Sequence, residues 1–233
     1  MTNTLNNPTQ GFATFGNAEG AAPTDGMTPV WIASTDPGLF FRGDPVVTST
    51  SPGANQSGAY ITSLNTVAFS AGFLCRGVFQ GCYQFQPAAG RVVWSNFYNG
   101  VVTGSTGDIK AYVIDYTDTQ FIAQASTKGA ITSSMIGLNI GVTFNTSTGN
   151  TVTGYSNITL ESTSVASLSS MPFRLVDFYS AYAPGIAGFG NVNANSSVAN
   201  PLVNGTDNSN PANIVVVRPN NWDRLNLTSK SST

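Results

Sequence analysis

Histidine is missing from this chain, and charge of either sign is scarce: nine Lys and Arg against eleven Asp and Glu, 9% of the residues, for a net charge of −2. Ordinary soluble domains carry roughly 25% charged residues. Without an imidazole, Ser-His-Asp and Cys-His nucleophilic machinery is excluded, and so is the usual general base at neutral pH. Carboxylates, Lys, Tyr and Cys remain. The acids show no pair in the context of a glycosidase or a calcium loop; the nearest approach is Asp115 and Asp118, which flank Tyr116 and Thr117 in an expected turn. The expectation is therefore a protein that is not an enzyme and that carries no cofactor and no metal. The cations Arg42, Arg76, Arg91, Lys110, Lys128, Arg174, Arg218, Arg224 and Lys230 are scattered singly along the sequence. Nucleic acid is not an expected partner, because phosphate binding needs clustered Lys and Arg.

Long apolar runs are absent too. Nothing approaches the ~18 apolar residues of a membrane helix, so no membrane partner is expected. The opening "MTNTLNNPTQGFATFGNAEG" has neither the basic nor the apolar region of a secretory leader, which leads to the expectation of a protein made and kept in a cytoplasm. Cysteine is limited to Cys75 and Cys82, within "FLCRGVFQGCYQF". Four zinc ligands cannot be assembled from so few candidates, and Arg76 is the one nearby cation that would activate a thiol. A hairpin disulfide would require Cβ atoms within ~4 Å and an oxidising compartment. Burial of both cysteines as small apolar groups is the favoured reading.

What the sequence does contain is a folding chain, with 41% apolar residues, 24 glycines and an abundance of Ser, Thr and Asn. Short runs of Val, Ile, Phe, Tyr and Thr bounded by Gly, Pro, Asp and Asn predict strands over 30–33, 39–47, 60–63, 73–85, 91–97, 109–116, 119–125, 139–144, 159–162, 173–179, 214–218 and 222–226. "PAAG" at 87–90, "NG" at 99–100 and "YTD" at 116–118 read as hairpin turns, and Gly77 and Gly81 mark a bulge or bend within the 73–85 run. The best helical candidate, "KGAITSSMIGLNIG", carries Thr132, Ser133, Ser134 and flanking glycines, enough for one or two turns. The predicted fold is all-β, a compact sandwich or barrel-like domain. Its organisation is an extended arm over residues 1–29, one β domain over 30–227 with a long loop at 185–213, and a tail at 228–233.

A surface of hydroxyls and amides gives little repulsion between copies, which favours association. The aromatics Trp31, Trp94 and Trp222 and the pairs Phe40–Phe41 and Phe97–Tyr98 are expected mainly to fill a β core, with a minority exposed in an interface; a sugar-stacking role is the alternative for those that face outward. Phe12 and Phe15 in the arm, with Phe189, Val192 and Leu202 in the long loop, are candidate intersubunit contacts, because partners would be needed to order such segments.

The order of the segments carries a resemblance. "FFRGDPVVTST", "RGVFQGCYQFQPAAGRVVWSNFYNG", "DIKAYVIDYTDTQFIAQAS", "IGLNIGVTFNTSTGNTVTGYSNITLES", "PFRLVDFYSAYAPG" and "NIVVVRPNNW" follow one another over about 39 to 222. This succession resembles proteins of the head-gene region of tailed bacteriophages. The resemblance implies a virion structural protein, a capsid decoration or cement protein that sits on the outside of the head over joints between major capsid proteins, commonly as a homotrimer. It would be made in the bacterial cytoplasm, with the major capsid protein and copies of itself as partners. Alternatives are a tail or other virion component, or a carbohydrate-binding, host-recognition module. Gly43, Asp44, Pro45, Gly77, Gly81, Cys82, Asp115, Asp118, Thr119 and Arg218 match the group's pattern, which implies roles in turns and strand register and none in catalysis. The 185–213 insert and the polar arm depart from the group, so their contacts do not carry over.

Overall fold

The longest predicted strand, 73–85, contains the start and most of the longest observed one. In the computed structural model, which describes residues 11–17, 26–49, 58–63, 73–100, 107–143, 149–179 and 213–225, this strand is β6, Cys75–Gln86. Its residues from Gly77 to Cys82 are buried without alternation, because both faces of the strand lie under protein. Beside it, β9 (Ile109–Ile114) pairs along one edge, and β4 (Pro45–Thr48) and then β7 (Arg91–Ser95) pair along the other. The sheet continues outward through β5 (Ile61–Ser63) and β2 (Thr28–Ile32) in the order β2-β9-β6-β4-β5. Its ends meet, since the Trp31 N–H donates to the Ala59 carbonyl at 2.9 Å and Trp31 bridges Tyr60. The sheet thereby curls into a small five-stranded barrel. Val30, Ile32, Val46, Ile61, Phe79, Cys82, Ile109, Ala111 and Val113 fill it. The paired β3 (Leu39–Phe41) and β8 (Phe97–Asn99) add Phe40 and Tyr98 to the same core.

The other face of that sheet packs on a second, antiparallel one. It runs β1-β10-β15-β14-β11, with β1 at Ala13–Asn17, β10 at Thr119–Gln124, β11 at Asn139–Ile140, β14 at Phe173–Phe178 and β15 at Ile214–Pro219. Strand β10 shows the alternation expected of a strand with one dry face: Thr119, Phe121 and Ala123 are buried and Gln120, Ile122 and Gln124 are partly open. The two-stranded β12 (Val142–Thr143) and β13 (Thr159–Leu160) closes one end of the sandwich. The protein is thus all-β and compact, a sandwich with one wall rolled into a barrel. The 133–135 stretch forms a single 3-10 turn, in keeping with the glycines and hydroxyls around it.

At the centre of the sandwich stand four aromatics. Phe12 stacks on Phe173 with centroids 4.4 Å apart, while Phe121 and Trp222 close the cluster at 5.8 Å from one another. All four are no more than 1% exposed. Two sequence expectations are corrected here. Residues 1–29 are not an arm throughout: residues 13–17 form an edge strand on β10, and the Phe12 N–H donates to the Gly43 carbonyl at 3.0 Å, so Phe12 belongs to the core and not to an interface. A five-residue strand containing Gly and Asn is too short to show a period among its polar neighbours. The predicted strand at 222–226 is a turn after β15, with the Leu225 N–H on the Trp222 carbonyl; Trp222 turns inward and leaves the sheet.

Phe12→Ala is expected to lower unfolding stability by about 3–5 kcal/mol, the cost of a buried aromatic truncation. Urea denaturation reads this as a lower midpoint. A midpoint equal to wild type would show that the N-terminal segment does not share the core.

Candidate functional site

The residues singled out in the sequence assemble into three places. The first is the bend between β3 and β4. Gly43 takes φ 92°, a left-handed conformation that suits glycine. Its N–H donates to the Phe79 carbonyl and its carbonyl accepts from Phe12, while Asp44 offers Oδ2 to the Phe41 N–H at 2.7 Å. Pro45 opens β4, where its missing N–H costs no ladder bond. This bend therefore ties β1, β3 and β6 together. Burial pushes the Asp44 carboxyl up to about 7, against hydrogen bonds from Ser156 and Phe41 that favour the ionised form.

The second place is β6 itself. Its register on β4 slips where Gly77 and Cys75 face Val46 and Val47, leaving Arg76 as the extra residue, and its register on β9 slips between Phe79 and Gly81. Gly77 is packed so closely that a Cβ would sit 2.7 Å from the Ile114 carbonyl oxygen. At Gly81, with φ 152°, a Cβ would meet the Trp94 ring at 2.4 Å. Cys75 lies in the sandwich core and Cys82 in the barrel core, and both are free. Burial raises both thiols, Cys82 to about 12, so neither is a thiolate at neutral pH.

Leaving the ladder, Arg76 reaches the third place. Asp115, fully buried just past β9, forms ion pairs with Arg76 at 3.1 Å and Arg224 at 3.3 Å through Oδ2 and accepts from the Thr28 hydroxyl at Oδ1, 2.7 Å away. Asp223 lies 4.0 Å from Arg76 and accepts from the Thr48 hydroxyl at 2.5 Å. A buried carboxylate needs such partners. Asp115 thus locks β2, β6 and the segment after β15 to one another. Asp118 does not join it: it is exposed in the turn closed by the Thr119 N–H on the Tyr116 carbonyl. Among the described residues, no group of three His, Cys, Asp or Glu is placed to hold a metal ion, and no helix is long and apolar enough to cross a membrane.

Two surface features escaped the sequence reading. Beyond Tyr83, which also faces Lys110 of β9, β6 pairs with β7 alone, and register sets Tyr83 against Trp94 and Phe85 against Val92 on one face. Tyr83, Val92 and Trp94 are 45%, 60% and 42% exposed. Tyr83, Trp94 and Tyr112 contact one another at 5.3–6.0 Å, edge to face or tilted. The alternation of "YQF" and "VVW" about the "PAAG" turn was the available signal. The second feature is Arg218, which lies directly opposite Arg174 across β14 and β15, so these two cations are not single. Phe15, the other contact candidate in the arm, is 44% exposed beside Tyr179. Phe189, Val192 and Leu202 lie outside the described residues. No family model, curated protein or solved structure matches the chain.

Asp44 generates a pH prediction. Its native value lies above its unfolded one, so as pH rises from about 4 to about 7 the unfolded chain loses a proton that the native state keeps, and stability falls by at most about 4 kcal/mol, then levels off. Denaturation midpoints of Asp44→Asn should lack this descending component. An unchanged slope in the variant would contradict the assignment.

Proposed function

We propose that this protein is a virion structural protein, a capsid decoration protein that binds the outside of the assembled head and stabilises joints between major capsid proteins. The observation that carries the reading is the exposed apolar face of the β6–β7 hairpin. A two-stranded hairpin is marginal alone, and Tyr83, Val92 and Trp94 present apolar area that a partner surface would cover. The chain spends its few buried charges on the fold, on Asp115 above all, and its titratable side chains Cys75, Cys82 and Asp44 are shut inside. The motifs that resemble head-gene proteins coincide with those fold-determining places: "GDPV" is the β3–β4 bend, "GVFQGC" lies in β6, and the "AYVIDYTDTQF" segment is β9, β10 and the turn between them, which crosses from one sheet to the other and is not the hairpin its sequence suggests.

Adhesion of this kind needs no strong single contact. A subunit that binds only the assembled lattice stabilises it by mass action, and copies joined as a homotrimer multiply weak contacts through avidity. A low-charge exterior removes the repulsion that closely spaced copies would otherwise meet.

A carbohydrate-binding module is the second reading, favoured by one observation: Trp94 donates its indole N–H to Asn96 Oδ1 at 3.3 Å, placing an exposed ring beside an amide. The rings weigh against it, because Tyr83 stands at 75° to Trp94 and 74° to Tyr112, so the cluster has no flat platform for a sugar face.

The test is addition of purified protein to expanded heads that lack it. Saturable binding and a raised head-disruption temperature are expected, with Trp94→Ser together with Val92→Ser weakening both while leaving the fold intact. Absence of binding, combined with specific glycan capture that the same variant abolishes, would replace the first reading with the second.

A further inference from the structure

Five of the eight cations among the described residues have a partner. Arg76 and Arg224 bind Asp115 and Lys128 binds Glu161 at 2.6 Å, while Arg42 and Lys110 lie over the rings of Tyr155 and Tyr112. Among the described residues this leaves the side chains of Arg91, Arg174 and Arg218 with no ion pair, hydrogen bond or ring contact. Two of these three face each other. Arg174 and Arg218 are cross-strand partners on β14 and β15, both exposed, while their neighbours Phe173, Leu175 and Val217 are fully buried and point the other way. Like charges directly opposite in a sheet are destabilising. Among the described residues no acid forms an ion pair with either arginine, and Asp177, which stands opposite Val216 on the same two strands, accepts the Phe178 N–H at Oδ1 instead; this indicates that the complement of the arginines comes from outside.

We propose that the outer face of the β1-β10-β15-β14-β11 sheet, centred on Arg174 and Arg218, docks a carboxylate side chain, Asp or Glu, of the shell protein. Directly opposed residues have Cβ atoms about 4.5–5.5 Å apart, which lets two guanidinium forks converge on one carboxylate. Asn139, the neighbour of Arg174 on β11, continues the polar row, and the partly open Ile122 and Val176 on the same sheet supply apolar area beside it. The inference rests on the decoration reading for the identity of the partner, and names the contact that reading leaves open.

The experiment is co-sedimentation of the full chain with nuclease-treated expanded heads, with salt varied from roughly 0.05 to 0.5 M, a range that spans strong to weak screening. Wild type should bind and weaken as salt rises, and Arg174→Gln with Arg218→Gln should bind roughly tenfold or more weakly. Arg→Lys at both positions should recover part of the loss. A second measurement guards against misfolding: relief of like-charge repulsion should leave the thermal midpoint of Arg218→Gln equal to or above wild type at low salt, the difference closing at high salt. Wild-type binding that the double Gln variant retains overturns this inference and leaves the decoration reading standing, whereas failure of wild type to bind heads overturns both. A drop in midpoint for Arg218→Gln would assign the arginines to the fold and overturn the inference alone.

Discussion

Strand β6 is shared by two cores, and the rest of the molecule is arranged around that constraint. A strand dry on both faces cannot alternate polar and apolar residues, so its sequence from Gly77 to Cys82 is almost continuously apolar, and its neighbours must come very close. Gly77 and Gly81 supply the room. The bulges beside them let one strand serve two curvatures, flat against the sandwich and rolled in the barrel. One bulge also frees Arg76 from the ladder and sends it to Asp115, so the same irregularity that shapes the sheet builds the ion cluster that locks the chain end after β15.

Much of this was legible in the sequence, and the limits have physical causes. Strands with one dry face, such as β10, announced themselves by period two, and the glycines of β6 announced a bulge. The free, buried cysteines followed from the absence of any partner chemistry. The β1 strand was hidden because its hydrogen bonds are supplied by β10, a long-range pairing that local composition cannot show, and Phe12 was assigned to an interface when it is the stacking partner of Phe173. Trp222 was read as a strand residue because its flanks are β-like; the turn that carries it inward is fixed by contacts with Cys75 and the aromatic cluster. Arg174 and Arg218 are 44 residues apart by their numbers and meet only through register. Asp115 looked like a turn residue that paired with Asp118; burial and two arginines separate their roles.

The distribution of charge gives the structure its functional sense. Ion pairs go where they tie segments together, at Asp115 and at Glu161, and polar side chains clamp loops: Asn213 grips the backbone of Ile131, and Asn220 and Asn221 hold the 169–171 carbonyls. Among the described residues, the weakly charged exterior carries an apolar hairpin face and one arginine pair that no ion pair compensates. Surfaces of this composition recognise through area and repetition more than through any single strong group. Both features belong to regular strands, which hold their geometry without the ordering cost a mobile loop would add on binding.

The most direct measurement of the central proposal is a cryo-EM map of the purified virus particle. The account predicts repeated all-β densities on the outside of the head, seated over joints of the shell, with the hairpin face or the arginine pair turned toward a neighbouring protein. Particles whose heads carry no such density, and whose protein content lacks this chain, would contradict it.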